Sequence, residues 1–155
     1  MAKRRQHIAM GSDERTPVTD MIVEDLRARG HDLELFGALS DRDPQWPNVA
    51  RSVAEGVAVA AYDQGILLCW TGTGVSMAAN KVPGARAALC TDAETAKGAR
   101  MWNDANILCM SLRLASPAVA HEVLDAWFST SIDESERENI NRLKAMDQSK
   151  AVRNE

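Results

Sequence analysis

The 155-residue chain has no apolar run close to the roughly 18–20 residues that a membrane-spanning helix needs. No bilayer span is therefore expected. Basic residues are in deficit too: 18 Lys and Arg against 22 Asp and Glu give a formal charge of −4. A protein that lives on duplex nucleic acid or anionic lipid carries a basic face, so neither is an expected partner. Only three cysteines occur, and none forms a C-x-x-C pair. That count argues against a disulfide framework and against a close-spaced metal site, and for reduced thiols in the cytoplasm. No metal or other cofactor is expected. The opening MAKRRQ is basic, but HIAMGSDER behind it is too polar for the apolar region of a signal peptide.

Hydrophobic residues make up 45% of the chain and charged residues 26%, an ordinary globular balance. One domain is expected at this length, burying roughly 68–70% of the unfolded surface. Five short apolar runs have strand length: His7–Gly11, Leu33–Gly37, Gly65–Cys69, Arg86–Cys90 and Ile107–Ser111. Runs that are apolar on both faces suit a parallel sheet covered by helices on both sides. Helical segments alternate with them. Thr16-Pro17 caps the first, which carries Val18, Met21, Ile22 and Leu26 and stops at Gly30. Val49, Val53 and Val57 mark the second, a third begins near Gly74 and runs through Lys81, Asp92 caps a fourth, and Ser116-Pro117 opens a fifth. The alternation predicts an α/β domain with right-handed crossovers over 7–131, after a basic leader at 1–6 expected to be disordered. A charge-rich last helix is expected over 132–146, with Ile140, Leu143 and Met146 as a thin apolar stripe, then a flexible tail at 147–155. Such a stripe packs on a partner chain or belongs to a solvated terminal helix.

Ligands of open α/β sheets bind beyond the carboxyl ends of the strands. The most informative such place is the turn after Cys69, where Gly72 and Gly74 allow close approach to the backbone. The first amides of the following helix lack internal partners and can accept an anion. A thiolate at Cys69 is favoured beside them. It could take a proton from a carbon next to a carbonyl while the amides hold the enediolate. Met77 stands where the third glycine of a dinucleotide-binding turn would be, so a nicotinamide cofactor is disfavoured. Taken alone, a cysteine ending a buried strand is more often a small core residue, and Cys90 and Cys109 fit that role fully.

The order of motifs is more specific. Gly11-Ser12-Asp13, Trp46-Pro47, the block from Cys69-x-Thr71-Gly72-x-Gly74-x-Ser76 through Ala78-Ala79-Asn80-Lys81-Val82-Pro83-Gly84 to Cys90, and Asn103-Asp104-Ala105-Asn106 follow one another. This order resembles the type B ribose-5-phosphate isomerase / galactose-6-phosphate isomerase family from about His7 to Met146. The resemblance implies a three-layer, Rossmann-like αβα sandwich around a five-stranded parallel sheet, with the C-terminal helix packing on a partner subunit. It implies a homodimer, sometimes paired into a tetramer, whose active sites draw residues from both subunits. It also implies metal-free aldose–ketose isomerisation of a sugar phosphate. In that pattern Cys69 is the base that moves a proton between C1 and C2. The turn Thr71-Gly72-Thr73-Gly74-Val75-Ser76 holds the enediolate oxygens, Asp13 and Asn103 hold sugar hydroxyls, and Ser12 and Trp46 line the pocket. Arg113 and Arg137 bind phosphate, joined at the last position of that cluster by Asn141 or Arg142.

Four departures bear on the substrate. Glu14 follows Asp13 where the family has histidine, Trp102 replaces the histidine tied to furanose opening, Asn141 stands where a second phosphate-binding arginine is usual, and Trp70 replaces a glycine after the cysteine. Glu14 adds a repulsive charge near a phosphate, and the missing guanidinium removes a bidentate contact. Indole cannot accept a proton. If Trp46, Trp70 and Trp102 converge, they shrink and dry the pocket. A short acyclic or otherwise modified sugar is the expected substrate. A non-catalytic sugar- or partner-binding protein of the same fold is the competing expectation, and a redox-sensing thiol protein a third.

Overall fold

The computed structural model describes residues 4–152. Five strands alternate with helices: β1 His7–Ser12, α1 Pro17–Ala28, β2 Asp32–Gly37, α2 Trp46–Ala58, β3 Gln64–Cys69, α3 Thr73–Ala79, β4 Ala87–Leu89, α4 Ala93–Asn103, β5 Ile107–Ser111 and α5 Pro117–Ser129. A single 3-10 turn, Glu134–Glu136, leads into α6, Arg137–Val152. The strands form one parallel sheet in the order β2-β1-β3-β5-β4. This is the expected αβα sandwich.

Side chains of a strand alternate between faces, and the alternation divides the core in two. Ile8, Met10, Ile66, Leu68, Leu108 and Met110 meet α1, α4 and α5 through Ile22, Leu26, Ala96, Leu124 and Trp127. Ala9, Leu67, Cys69, Ile107 and Cys109 meet α2 and α3 through Val49, Val53, Val57, Val75 and Ala79. The helix starts follow the sequence closely. Thr16 and Thr19 make a reciprocal capping box, Asp92 accepts from the Thr95 amide, and Ser116 accepts from the Val119 amide.

Three elements differ most in extent from what the sequence predicts. The strand expected over Arg86–Cys90 is only Ala87–Leu89, and the helix expected to reach Lys81 ends at Ala79. Asn80 explains both. Its side-chain amide donates to the Ala87 carbonyl at 2.9 Å and its Oδ1 accepts from the Ala87 amide at 2.8 Å, which turns the chain from helix into strand. The last helix starts at Arg137 rather than Ile132, because Asp133 accepts from the Ser135 amide and so caps a 3-10 turn first. It also continues past Met146 to Val152.

α6 buries Ile140 while Leu143 and Met146 remain exposed, and it packs on α4. Of the predicted leader, Arg5 pairs with Asp32 at 2.6 Å and the Gln6 amide donates to His31 Nδ1; Met1–Lys3 lie outside the described residues, as do the final three of the predicted tail. No helix among the described residues is long and apolar enough to cross a membrane.

Candidate active site

β3 delivers Cys69 to the carboxyl end of the sheet, facing the α2/α3 layer. The chain then turns through Gly72, which adopts φ 77°. A Cβ there would lie 2.5 Å from a Leu89 methyl and 3.0 Å from the Met110 carbonyl, so only glycine fits without strain. This tight turn brings the Gly72 amide back onto the thiol, donating to Cys69 Sγ at 3.2 Å. The loops after β3 and β5 are stitched together beside it. Leu112 N–H donates to the Cys69 carbonyl at 3.0 Å, Arg113 N–H to the Trp70 carbonyl at 3.0 Å, and Ser111 Oγ to the Trp70 carbonyl at 2.9 Å. Cys69 is thus anchored at its sulfur by one amide and at its own carbonyl by another.

The three cysteines differ in place. Cys69 keeps 5% of its surface exposed, against 1% for Cys90 and 0% for Cys109. Burial pushes the Cys90 thiol up to about 12 and that of Cys109 higher still, so both stay protonated core residues. Cys90 faces the α1/α4/α5 layer and the other two face the α2/α3 layer, so the three thiols do not converge as ligands.

Around Cys69 the carboxyl ends assemble further predicted residues. Asp13 follows β1, and its Oδ1 is buried with no hydrogen-bond partner. Burial raises its carboxyl above the ordinary range, with the neighbouring Glu14 charge adding to the effect. Ser12 is fully buried, and its hydroxyl is spent on the turn: it donates to the Glu14 carbonyl at 2.6 Å and accepts from the Glu14 amide at 3.2 Å. It shapes the Asp13 loop rather than presenting a free hydroxyl. The Glu14 side chain is exposed. Thr71 and Thr73 share a 2.8 Å hydroxyl contact at the mouth of the turn, while Val75 is buried and Ser76 bonds to the Cys109 thiol. Trp46 opens α2 and lays its ring against Gly74, 3.1 Å from where a Cβ would stand. Trp70 is 58% exposed. Arg113 is exposed and makes no ion pair among the described residues.

The other predicted residues sit elsewhere. Strands and crossover helices run in opposite directions, so α4, ending at Asn103, finishes beside the amino ends of the strands. Asn103 lies there with Leu143 and Met146 of α6 on a groove of about 350 Å³. Arg137 and Asn141 are on α6 at this same end. Arg137 is held by Glu134 at 2.7 Å and feels the charge of Asp104, the residue after Asn103. Arg142 is engaged by Glu138 and Asn139. Trp102 packs on Gly98 of its own helix and lines a groove with Leu89 and Asn103. The expected site is therefore two half-sites at opposite ends of one sheet.

Comparison with known proteins decides the family. The model of the Ribose/Galactose Isomerase family matches residues 8–146. This chain belongs to that family. It is accordingly a sugar-phosphate isomerase, interconverting aldoses and ketoses. Among relatives, the chain is 35% identical over 124 residues to "Ribose-5-P isomerase B" of Listeria innocua, covering 79% of this chain and 84% of that protein. It is 34% identical over 114 residues to "D-erythrulose-4-phosphate isomerase 2" of Mycolicibacterium smegmatis, covering 74% of each. The structure of ribose-5-phosphate isomerase B from Clostridium thermocellum superposes with a TM-score of 0.85 at 32% identity, covering 92% of this chain and 98% of the other.

Proposed function

We propose that this isomerase acts on a short open-chain ketose phosphate of tetrulose size, with Cys69 as the base. The observation that carries the reading is the Gly72 amide donating to Cys69 Sγ at 3.2 Å, beside the exposed threonine hydroxyls of the same turn. In the direction from ketose to aldose, Sγ takes a proton from C1 and electrons move from the C–H bond into a C1–C2 double bond. The electrons of the C2 carbonyl bond move onto its oxygen, giving the cis-enediolate. The proton on sulfur then returns at C2 while the hydroxyl at C1 passes its proton to the C2 oxygen and becomes the aldehyde. Amides and hydroxyls of Thr71–Ser76 hold the enediolate oxygens, whose charge grows only as the C–H bond breaks. Asp13, with a carboxylate oxygen that has no internal partner, takes a sugar hydroxyl.

Trp102 offers no proton acceptor for ring opening, and Trp46 against Gly74 narrows the thiol side, so a sugar too short to form a stable ring fits best. A relative named for D-erythrulose 4-phosphate supports the same size class. The thiol ends β3, whereas Asn103 ends α4 and Arg137 begins α6, both toward the amino ends of the strands. They complete the site of a second copy in a homodimer, where Arg137 and Arg113 hold phosphate. The unpaired cysteines suit the cytoplasm.

The test is incubation with D-erythrulose 4-phosphate in heavy water. Deuterium entering C1 or C2 is expected in wild type and is lost in Cys69→Ser. Turnover of ribose 5-phosphate at rates typical of enzymes would sink the short-substrate reading.

A further inference from the structure

The half-site on α6 holds a cation that the family pattern does not assign. At about 100° per residue, Asn141 lies roughly 40° and Lys144 roughly 20° round the helix from Arg137, whereas Arg142 lies roughly 140° away. Arg142 is turned to Glu138 and Asn139, so it is no substitute for the arginine missing at Asn141. Lys144 shares the Arg137 face. Its Nζ lies 3.0 Å from Asp104 Oδ2, next to Asn103.

Asp104 is over-supplied with positive charge. Besides Lys144 it meets Arg86 at 3.4 Å and Arg100 at 3.7 Å, and it sits in the field of Arg137. The two arginines are largely enclosed, with side chains 17% and 16% exposed, and each is anchored to backbone carbonyls. The Lys144 side chain is 39% exposed and carries no other hydrogen bond among those described. A partly exposed lysine–carboxylate pair contributes little, and Asp104 keeps two cations when Lys144 turns away. The ammonium can therefore swing to an incoming anion at small cost, without stranding a buried carboxylate.

We propose that Lys144 is a substrate-phosphate ligand, supplying with Arg137 the second positive charge that Asn141 does not provide. This rests on the isomerase reading above and names a specificity-determining residue for it. A compact ammonium meets phosphate as a point charge where an arginine would bind it bidentately.

The experiment compares wild type, Lys144→Met and Lys144→Arg. Calorimetric titration with inorganic phosphate is expected to show binding weakened about 10- to 100-fold in Lys144→Met and largely restored in Lys144→Arg, the range for losing a charge-assisted contact. In turnover, the KM for the phosphorylated tetrulose should rise by a similar factor with a much smaller change in kcat, while the KM for the unphosphorylated sugar stays put. Unchanged phosphate binding in Lys144→Met overturns the inference, and so does an equal rise in KM for both sugars. Lysine-dependent phosphate binding in a wild type that does not turn over the phosphorylated tetrulose would overturn the short-substrate reading and leave this ligand in place.

Discussion

At the carboxyl end of the sheet the site-bearing groups are held by backbone: an amide on the Cys69 sulfur, carbonyls of Cys69 and Trp70 stitched to the next loop, and a glycine that nothing else can replace. At the amino end they include two long charged side chains on α6, Lys144 paired with Asp104 and Arg137 in the field of the same carboxylate. The difference matches the work proposed for each half. Moving a proton between adjacent carbons needs a donor and acceptor fixed to within fractions of an ångström. Gripping a phosphate needs charge, and long side chains that adjust to it serve well. On that proposal, rigidity is concentrated where bonds change, and adaptability where the substrate is held.

The largest effect that sharpens this contrast is expected at the thiol. Cys69→Ala should lower kcat about 10²- to 10⁴-fold, the range for removing a general base, while circular dichroism and the melting temperature stay close to wild type. Comparable loss of kcat on removing a charge from α6 would erase the division of labour. Next comes the turn itself. Gly72→Ala forces a positive φ on a side chain and presses its Cβ against Leu89 and the Met110 backbone, so a loss of about 2–4 kcal/mol in denaturant unfolding is expected, with activity falling alongside.

The smallest effect concerns Asp13 and has the opposite sign for stability. Its carboxyl is raised by burial, so the folded protein binds the proton more tightly than the unfolded chain does. Stability from this group is present below the unfolded value near 4 and declines as pH rises through the folded value. Above that window the ionised carboxylate is a cost, and Asp13→Asn should raise the melting temperature at pH 7 by on the order of a degree or two while impairing turnover. Thermal melts at pH 3 and pH 7 check the sign, because the gain should vanish at the lower pH.

Much of the thiol half is legible in the chain. Strands buried on both faces announce themselves as apolar runs, caps at Thr16, Asp92 and Ser116 mark helix starts, and a cysteine followed by Gly-x-Gly places the turn. The extent of β4 and α3 is not, because it is set by the Asn80 side chain bonding across to Ala87, a contact seven residues away that no local pattern encodes. Ser12 misleads for a similar reason: a hydroxyl at a strand end looks available, yet here it closes a turn with Glu14. The separation of Asn103 and Arg137 from Cys69 follows from chain direction, since a crossover helix ends where the strands begin. Lys144 is tied to the Arg137 neighbourhood only through the tertiary contact with Asp104, which no local pattern encodes.

The most direct measurement is complementation between dead halves. Cys69→Ala and the double variant Asn103→Ala, Arg137→Ala are each refolded alone, then co-refolded at equal amounts. Random pairing makes half the dimers mixed, and each mixed dimer carries one intact site, so activity is expected to return to about a quarter of wild type. Mixed dimers that form and stay inactive would contradict a site in which one copy's thiol works against the other copy's α6.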